Sequence, residues 1–233
     1  MSPIHTKEML EAIENTPVVP AALVQGEQTL KQTFIEEAGP LGSVPLPGTV
    51  KGVAKSLLKT ITGHHPEVFI NKLGERLAYE RSGVRIYDAL IAKCQHTITS
   101  GMIEQKIDIA TMQRFREEEA QHFELLVANI KKLGADPTAQ TPDADAIGVA
   151  SSGLMKVITD PRTSISQSLE AMLAIELADN AAWELLITLA EDMGFSTMAE
   201  EFRAALRQED VHLATVKSWY EELVRSQATS PAP

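Results

Sequence analysis

Four long segments with helical periodicity constrain the fold of this chain more than any other feature of its sequence. In each segment apolar residues recur at spacings of three and four, which is the pattern of a helix with one buried face. These segments are expected at about 67–100, 104–133, 164–194 and 197–226. Aromatic residues make up only 5% of the chain, which favours long helices over a β-sandwich. The sequence therefore predicts an all-α protein.

The connections between these segments differ in length. Short turns join the first segment to the second and the third to the fourth, so each pair is expected to form an antiparallel hairpin. The two hairpins are separated by residues 135–163, which are rich in Pro, Asp, Thr and Gly and contain a short apolar stretch, AIGVASSGLMKVI. This connectivity predicts a four-helix bundle with a long crossover between helices two and three.

The first 66 residues differ in composition from the rest, because prolines and glycines recur along them. No long helix can pass through such a segment. Short helices are expected between the breaks, at about 6–14, 27–37 and 49–61. We predict an N-terminal helical extension over 1–66, the bundle over 67–226 and a disordered tail over 227–233.

Charge and cysteine content exclude several classes of function. A formal net charge of -11 disfavours nucleic acids and anionic membranes as partners. The single cysteine, Cys94, allows no intramolecular disulfide and no Cys-x-x-Cys metal site, and we expect it to be a buried apolar residue. The sequence shows no signal peptide and no apolar stretch that could span a membrane, so the expected location is the cytoplasm.

Two Glu-x-x-His pairs occur near the middle of the second and fourth segments, at Glu119–His122 and Glu209–His212. Residues three apart lie on one side of a helix, so the two side chains of a pair can act together. Both pairs lie within the apolar stripe of their helix; Phe115, for example, precedes Glu119 by one helical turn. One such pair would carry little weight, whereas two in matching places indicate a functional site in the interior.

The first and third segments each place one glutamate on the apolar seam, Glu80 and Glu176. Each of them precedes an aromatic residue by two helical turns, Tyr87 in the first segment and Trp183 in the third. The two hairpins thus repeat one pattern, a glutamate followed by Glu-x-x-His. In the first segment Glu75 is the alternative to Glu80.

Four carboxylates in an apolar interior need cations, because an unpaired buried charge is strongly unfavourable. Two divalent ions would balance four glutamates, and the two histidines would complete the coordination. Nitrogen and oxygen ligands suit iron or manganese, and the absence of thiolates argues against a structural zinc site. We expect two Fe ions, with Mn as the alternative.

Six positions together resemble the di-iron site of the ferritin-like superfamily, which includes ferritins, bacterioferritins and rubrerythrins: Glu80, Glu119, His122, Glu176, Glu209 and His212. The resemblance covers about residues 67–226 and implies a ferritin-like four-helix bundle. It also implies that Tyr87 donates a hydrogen bond to a ligand carboxylate. Rubrerythrins have a further ligating glutamate three residues after the third-helix glutamate. Asp179 occupies that place here, and whether this shorter side chain is a seventh ligand is left open.

Such a site implies a protein that reacts with O2 or hydrogen peroxide as a ferroxidase or peroxidase, with Glu119 and Glu209 bridging the two metals. The chain lacks the rubredoxin domain of most rubrerythrins, so an external electron donor is expected, and the expected assembly is a homodimer. The alternatives are iron storage, a manganese catalase-like enzyme, a hydroxylase, or a metal-free helical interaction module. In that last case the glutamates would pair with Arg76, Arg81 or Arg203.

Further charged residues near these motifs have simpler interpretations. Glu117 and Glu118 are expected on a solvated helix face with two nearby arginines. The adjacent His64 and His65 form a weak candidate metal site, because neighbouring side chains at the start of a helix diverge in direction.

Overall fold

The computed structural model describes residues 21–44, 65–99 and 107–229, together with Lys7, Glu11, Ala12, Glu14 and Asn15. The chain divides into two units, Met1–Leu41 and Gly42–Pro233. The first unit contains helix α1 (Ala21–Glu37). The second contains α2 (Pro66–Thr99), α3 (Ile109–Lys132), α4 (Pro142–Thr159), α5 (Ile165–Asp192) and α6 (Ser196–Thr229). No strand occurs in these described ranges, so the all-α prediction is confirmed.

Several predictions concern parts of the chain that the structure does not describe. The expected helix at 49–61, most of the one at 6–14 and residues 230–233 of the predicted tail lie outside the described residues. The domain boundary at residue 66 therefore stays a prediction. Helix α1 begins at Ala21, earlier than the expected start at 27. Helix α6 continues to Thr229, past the expected end at 226, so the first three residues of the predicted tail are helical.

Two apolar clusters hold α2, α3, α5 and α6 together. One cluster joins the first turns of α2 and α6 to the last turns of α3 and α5; its members include Phe69, Leu126, Leu186 and Phe202. The other joins the opposite ends of the same helices; its members include Tyr87, Phe115, Leu169 and Val216. Helices α2 and α6 therefore run from the first cluster to the second, and α3 and α5 run back. The pairs α2–α3 and α5–α6 are antiparallel, and two to three turns of α3, α5 and α6 lie between the clusters.

The connection between α3 and α5 contains α4, a helix that the sequence pattern indicated only as a short apolar stretch. Its buried residues are Ala144, Ser151 and Ile158, whereas Val149 on another side is exposed. Leu154, which packs against the second cluster, lies on the same side as the buried residues, so α4 has one buried face at helical spacing. Its 18 residues span about 27 Å. Helix α4 thus carries the chain from the end of α3 to the start of α5.

Helix α4 is fixed to α2 at both ends. At its N-terminal end the cap residue Thr141, whose hydroxyl accepts a hydrogen bond from the first turn, lies against Gly74 of α2. At its C-terminal end Lys93 of α2 donates to the main-chain oxygen of Asp160 at 2.8 Å and to the Thr163 hydroxyl at 2.6 Å. These contacts place α4 alongside α2, and the two helices run in the same direction.

Helices α3 and α5 end in the same way. Gly134 and Gly194 follow them with φ angles of 77° and 75°, a left-handed conformation that glycine adopts without steric cost. In both cases the residue after the glycine donates its N–H to the carbonyl oxygen five positions earlier. This Schellman arrangement satisfies the last carbonyl groups of the helix, so the short-range sequence signal correctly locates both helix ends.

Helix α1 of the first unit exposes three large apolar side chains, Leu30, Phe34 and Ile35. Apolar exposure of this kind does not make α1 a membrane segment. Among the described residues, no helix combines the length and the apolar character needed to cross a bilayer.

Replacing Gly74 by Ala should destabilise the protein, because the new Cβ would lie 2.6 Å from Oγ1 of the buried cap residue Thr141. Overpacking of this kind lowers the free energy of unfolding by about 1–3 kcal/mol. Gly148→Ala in α4 is the matched control: no atom lies within 4 Å of its Cβ position, so it should stabilise the helix by up to about 1 kcal/mol. Urea denaturation measures both changes. Equal effects would contradict the packing of Thr141 on Gly74.

Candidate metal centre

The six residues selected from the sequence converge in the layer between the two apolar clusters. Helices α2, α3, α5 and α6 all contribute, and each of these residues is at most 2% exposed: Glu80, Glu119, His122, Glu176, Glu209 and His212. They form two overlapping groups that could hold metal ions. In each group, one donor atom per residue lies within 4.8 Å of the others.

We name the two groups after their histidines. The His212 position consists of Glu119, Glu176, Glu209 and His212. The His122 position consists of Glu80, His122 and Glu209. A third group of carboxylates, which joins Asp179 to Glu80, Glu119 and Glu209, overlaps both positions.

Glu209 connects the two positions, because its carboxylate contacts both imidazoles. Its Oε1 lies 2.7 Å from Nδ1 of His122, and its Oε2 lies 3.1 Å from Nδ1 of His212. Both rings therefore turn Nδ1 toward the carboxylates. The remaining ring nitrogens also have partners: Nε2 of His122 lies 2.9 Å from Oε1 of Gln208, and Nε2 of His212 lies 2.7 Å from Oε2 of Glu118. Each ring is thus oriented from two sides, which is how metal-binding histidines are usually held.

The contact of Glu118 with His212 corrects one prediction. Glu118 was expected on the solvated face with Glu117, but only 18% of its side chain is exposed. Glu117 is exposed, as expected. Successive residues differ by about 100° around a helix, so Glu118 lies at the edge between the buried and solvated sides of α3. Its side chain reaches α6 from that edge, and helical phase within α3 alone does not reveal this contact.

Tyr87 and Asn180 fix the glutamates of α5 and α6. The Tyr87 hydroxyl donates to Oε1 of Glu176 at 2.5 Å, which is the kind of contact that the resemblance implied. The Asn180 amide donates to the main-chain oxygens of Glu176 and Glu209 at 3.0 and 3.2 Å. Asn180 therefore ties α5 to α6 beside the centre. Sequence reasoning missed Asn180, because its role depends on a partner in another helix.

Of the three arginines considered as partners of the glutamates, Arg76 reaches the centre. Its Nε lies 2.9 Å from Oε1 of Glu80, and its Nη1 lies 2.7 Å from Oδ1 of Asp179. All three side chains are buried. Arg81 is exposed, and Arg203 pairs with glutamates elsewhere. Asp179 thus lies at the rim of the carboxylate cluster with a cationic partner of its own.

Glu75 and His65 lie away from the centre. Glu75, the competitor of Glu80, pairs with Lys72 at 2.7 Å. His65 is exposed and contacts Glu67 at 2.8 Å, and its neighbour His64 lies outside the described residues. The helical seam therefore identified the inward glutamate of α2 correctly.

Several carboxylate oxygens of the centre accept no hydrogen bond, although they are fully enclosed. These are Oε2 of Glu80, Glu119 and Glu176. Gly83 of α2 makes room for one of them, because a Cβ at this place would collide with the Glu119 carboxylate. Glycine in a helix interior costs about 1 kcal/mol relative to alanine. An isolated glycine inside a strong helical pattern is the signal that could have marked this close approach.

Electrostatics in the metal-free centre favour bound protons. Burial and the neighbouring Glu209 raise the pKa of Glu176 to about 8, and burial with the same neighbour raises the pKa of Glu119 well above its usual range. Although burial opposes it, the Glu209 carboxylate raises the pKa of His122 to about 10 and that of His212 to about 9. Hydrogen bonds from the imidazoles, again against the effect of burial, hold the pKa of Glu209 below its usual range. When no cation is bound, protons on these groups reduce the repulsion among the carboxylates.

The metal-free protein should lose stability as the pH rises from about 7 to about 10. A group with a raised pKa binds its proton more tightly in the folded state. Its contribution is complete below the unfolded pKa, about 6.5 for histidine, and is lost as the pH passes the folded values of about 9 and about 10. The expected loss is on the order of a few kcal/mol in the free energy of unfolding.

Urea denaturation at each pH, with a chelator present, measures this loss. His122→Gln and His212→Gln remove the titrating imidazoles and should make the profile less steep between pH 7 and pH 10; Glu176, whose pKa is raised to about 8, contributes to the slope that remains. A metal-free wild-type protein whose stability is constant or rises over this range would contradict the electrostatic account.

Comparisons with known proteins add no assignment to this geometry. No family model, no curated protein and no solved structure matches the chain.

Proposed function

We propose that this chain is a non-haem dinuclear metal protein, with iron as its metal, that reacts with O2 or hydrogen peroxide as a ferroxidase or peroxidase. One observation carries the proposal: enclosed carboxylate oxygens without hydrogen bonds lie in one cluster with two inward-facing imidazole nitrogens. Without cations such a cluster is unfavourable, because buried charges lose the solvation that water provides.

The charge balance supports two divalent ions. The cluster contains five carboxylates, from Glu80, Glu119, Glu176, Glu209 and Asp179, and the buried guanidinium of Arg76 is one positive charge beside them. With both histidines protonated, two of the five carboxylates would still need either a bound proton or a cation. Two divalent ions with neutral imidazoles would instead balance the four glutamates, while the guanidinium balances Asp179.

The donor atoms fit iron or manganese. Glu80, His122 and Glu209 would hold one ion, and Glu119, Glu176, Glu209 and His212 would hold the other; of the two glutamates expected to bridge, Glu209 belongs to both positions. All donors are carboxylate oxygens or imidazole nitrogens, and the one cysteine of the chain is not among them. Such a donor set suits Fe and Mn, and it differs from the thiolate-rich sets of structural zinc sites.

When bound, such ions would supply electrons and open coordination positions for the oxidant. The chain's own residues orient the donors and exclude bulk water. Tyr87 holds Glu176, and the Phe115 ring packs on the His212 ring with centroids 4.1 Å apart. Trp183 covers His122 with ring centroids 5.6 Å apart. The apolar clusters on both sides keep the donors in place before any ligand arrives.

The arrangement of the helices supports a ferritin-like four-helix bundle as the scaffold. Two antiparallel pairs, α2–α3 and α5–α6, each contribute one glutamate and one Glu-x-x-His pair. The connection between the pairs spans the length of the helices, which is the connectivity of ferritin-like bundles. In this proposal α4 is an addition to the crossover, packed along α2.

Reduction of an oxidant consumes electrons that the chain must obtain elsewhere. The chain has one cysteine, so it carries no cysteine-ligated iron centre of its own. In this proposal electrons come from an external reductant or from ferrous iron as the substrate.

Metal content is the first test. Metal-free protein reconstituted with Fe2+ without oxygen, and then freed of excess metal, should retain about two Fe per chain. Glu119→Gln removes one ionised ligand at nearly constant volume and should lower the content to about one or less. Glu117→Gln is the matched control on the same helix; its side chain is exposed and its content should equal that of the wild type.

Two results would overturn the proposal. A wild-type content below about 0.2 Fe or Mn per chain after reconstitution would exclude a metal centre. Equal losses in Glu119→Gln and Glu117→Gln would exclude the assigned ligands. If two metals bind, stopped-flow mixing of the ferrous protein with O2 or with hydrogen peroxide identifies the oxidant. The oxidative function would be refuted if O2 and hydrogen peroxide both reacted with the wild type no faster than with Glu119→Gln.

A further inference from the structure

The two candidate metal positions are chemically unequal. The His212 position offers four donor residues, three carboxylates and one imidazole. The His122 position offers three, and one of them, Glu80, already has a cationic partner in Arg76. A divalent ion would therefore meet more negative charge at the His212 position.

Arg76 is held firmly beside the His122 position. Its guanidinium contacts Glu80 at 2.9 Å and Asp179 at 2.7 Å, and its Cζ lies 4.2 Å from the centre of the Tyr79 ring. Although burial opposes it, the two carboxylates raise the pKa of Arg76, so the side chain stays charged. Its Nη2 has no hydrogen-bond partner. A fixed positive charge thus borders one metal position.

The surroundings of the His212 position differ. Its ligand side chains make polar contacts with the neutral hydroxyl of Tyr87 and with the carboxylate of Glu118, both outside the ligand set. The basic side chain of Arg114 lies 3.9 Å from the other oxygen of Glu118, and it is exposed. Water screens an exposed charge strongly, whereas a buried charge such as Arg76 acts almost unscreened on its neighbours.

We propose, on the basis of the dinuclear function proposed above, that Arg76 sets the order and strength of metal loading. The first divalent ion enters the His212 position and binds tightly. The second enters the His122 position and binds weakly, because the ion pair with Arg76 already compensates much of the Glu80 charge and because the guanidinium repels the incoming cation. The protein would then hold one resident ion and one exchangeable ion.

Asp179 moderates this effect. It neutralises part of the guanidinium charge, and it also belongs to the carboxylate group that includes Glu80 and Glu119. Removing the Asp179 charge alone should therefore strengthen the repulsion from Arg76. Removing both charges should abolish it. The ion pair thus allows two substitutions with opposite expected effects.

The proposal is tested by stepwise titration of the metal-free protein with Co2+. Equilibrium dialysis and the visible absorption of the bound ion measure binding at each step. Wild type should bind two Co2+ with dissociation constants at least about tenfold apart. His212→Gln should remove the tight step, and His122→Gln should remove the weak step. The reverse assignment would overturn the proposed order.

Variants of the ion pair identify the cause. Asp179→Asn should weaken the second step by about tenfold, whereas the double variant Arg76→Met/Asp179→Asn should strengthen it by about tenfold. Arg76→Lys keeps the charge and should keep the gap between the two steps. If the ion pair had only a structural role, both variants would change the dissociation constant of the second step in the same direction. Circular dichroism and urea denaturation establish that each variant is folded.

The outcomes separate this inference from the proposed function. Binding of less than about 0.2 Co2+ per chain would remove both. Two equal dissociation constants in wild type, or a weak step that the double variant leaves unchanged, would overturn the inference while the dinuclear centre stands. If the double variant does not fold, an unchanged weak step in Asp179→Asn overturns it instead.

Discussion

The burial of five carboxylates in one apolar interior is the constraint on which the rest of this structure depends. Glu209 is at its centre, because it contacts both imidazoles and belongs to both candidate metal positions. Carboxylates this close repel one another strongly when water is excluded. Protons or cations must therefore occupy the cluster. The contacts of the carboxylates with Arg76 and with the two imidazoles supply part of this positive charge.

The scaffold keeps the carboxylates together in spite of that repulsion. The two apolar clusters flank the layer and bury large side chains at both ends of the same four helices. Between them, Asn180 ties α5 to α6, and the missing side chain of Gly83 admits Glu119 close to α2. The stability released by burying the apolar clusters offsets the cost of the charged layer. The packed clusters thus hold the carboxylate and imidazole donors close together.

Arg76 gives the layer its asymmetry. Its ion pairs with Glu80 and Asp179 place a permanent cation on one side, while the opposite side depends on ions or protons. Arg76 thus forms the arginine–carboxylate pairs that the metal-free alternative requires. A single guanidinium, however, cannot balance the negative charge of five carboxylates. The same residue that stabilises the metal-free fold would therefore compete with a metal at the His122 position.

Much of the centre could be predicted from the sequence, because its ligands follow from helical spacing. Glu119 with His122, and Glu209 with His212, are marked by a spacing of three inside an apolar stripe, and the seam of α2 favours Glu80 over Glu75. Glycines marked the ends of α3 and α5 for the same local reason. These features depend on residues that are neighbours within one helix, and such neighbours can be identified from their spacing in the sequence.

Only the tertiary structure decided the rest, because the remaining features depend on which helices meet. Glu118 lies by its phase at the edge of the solvated side of α3, and its contact with His212 depends on the position of α6. The partners of Arg76 come from two helices, and Gly83 matters because of a side chain on α3. Helix α4 was recognised from the sequence only as a short apolar stretch, and its packing on α2 shows that this stretch belongs to a helix of the crossover. Spacing along each helix identifies the candidate ligands, whereas packing between helices determines which residues surround them.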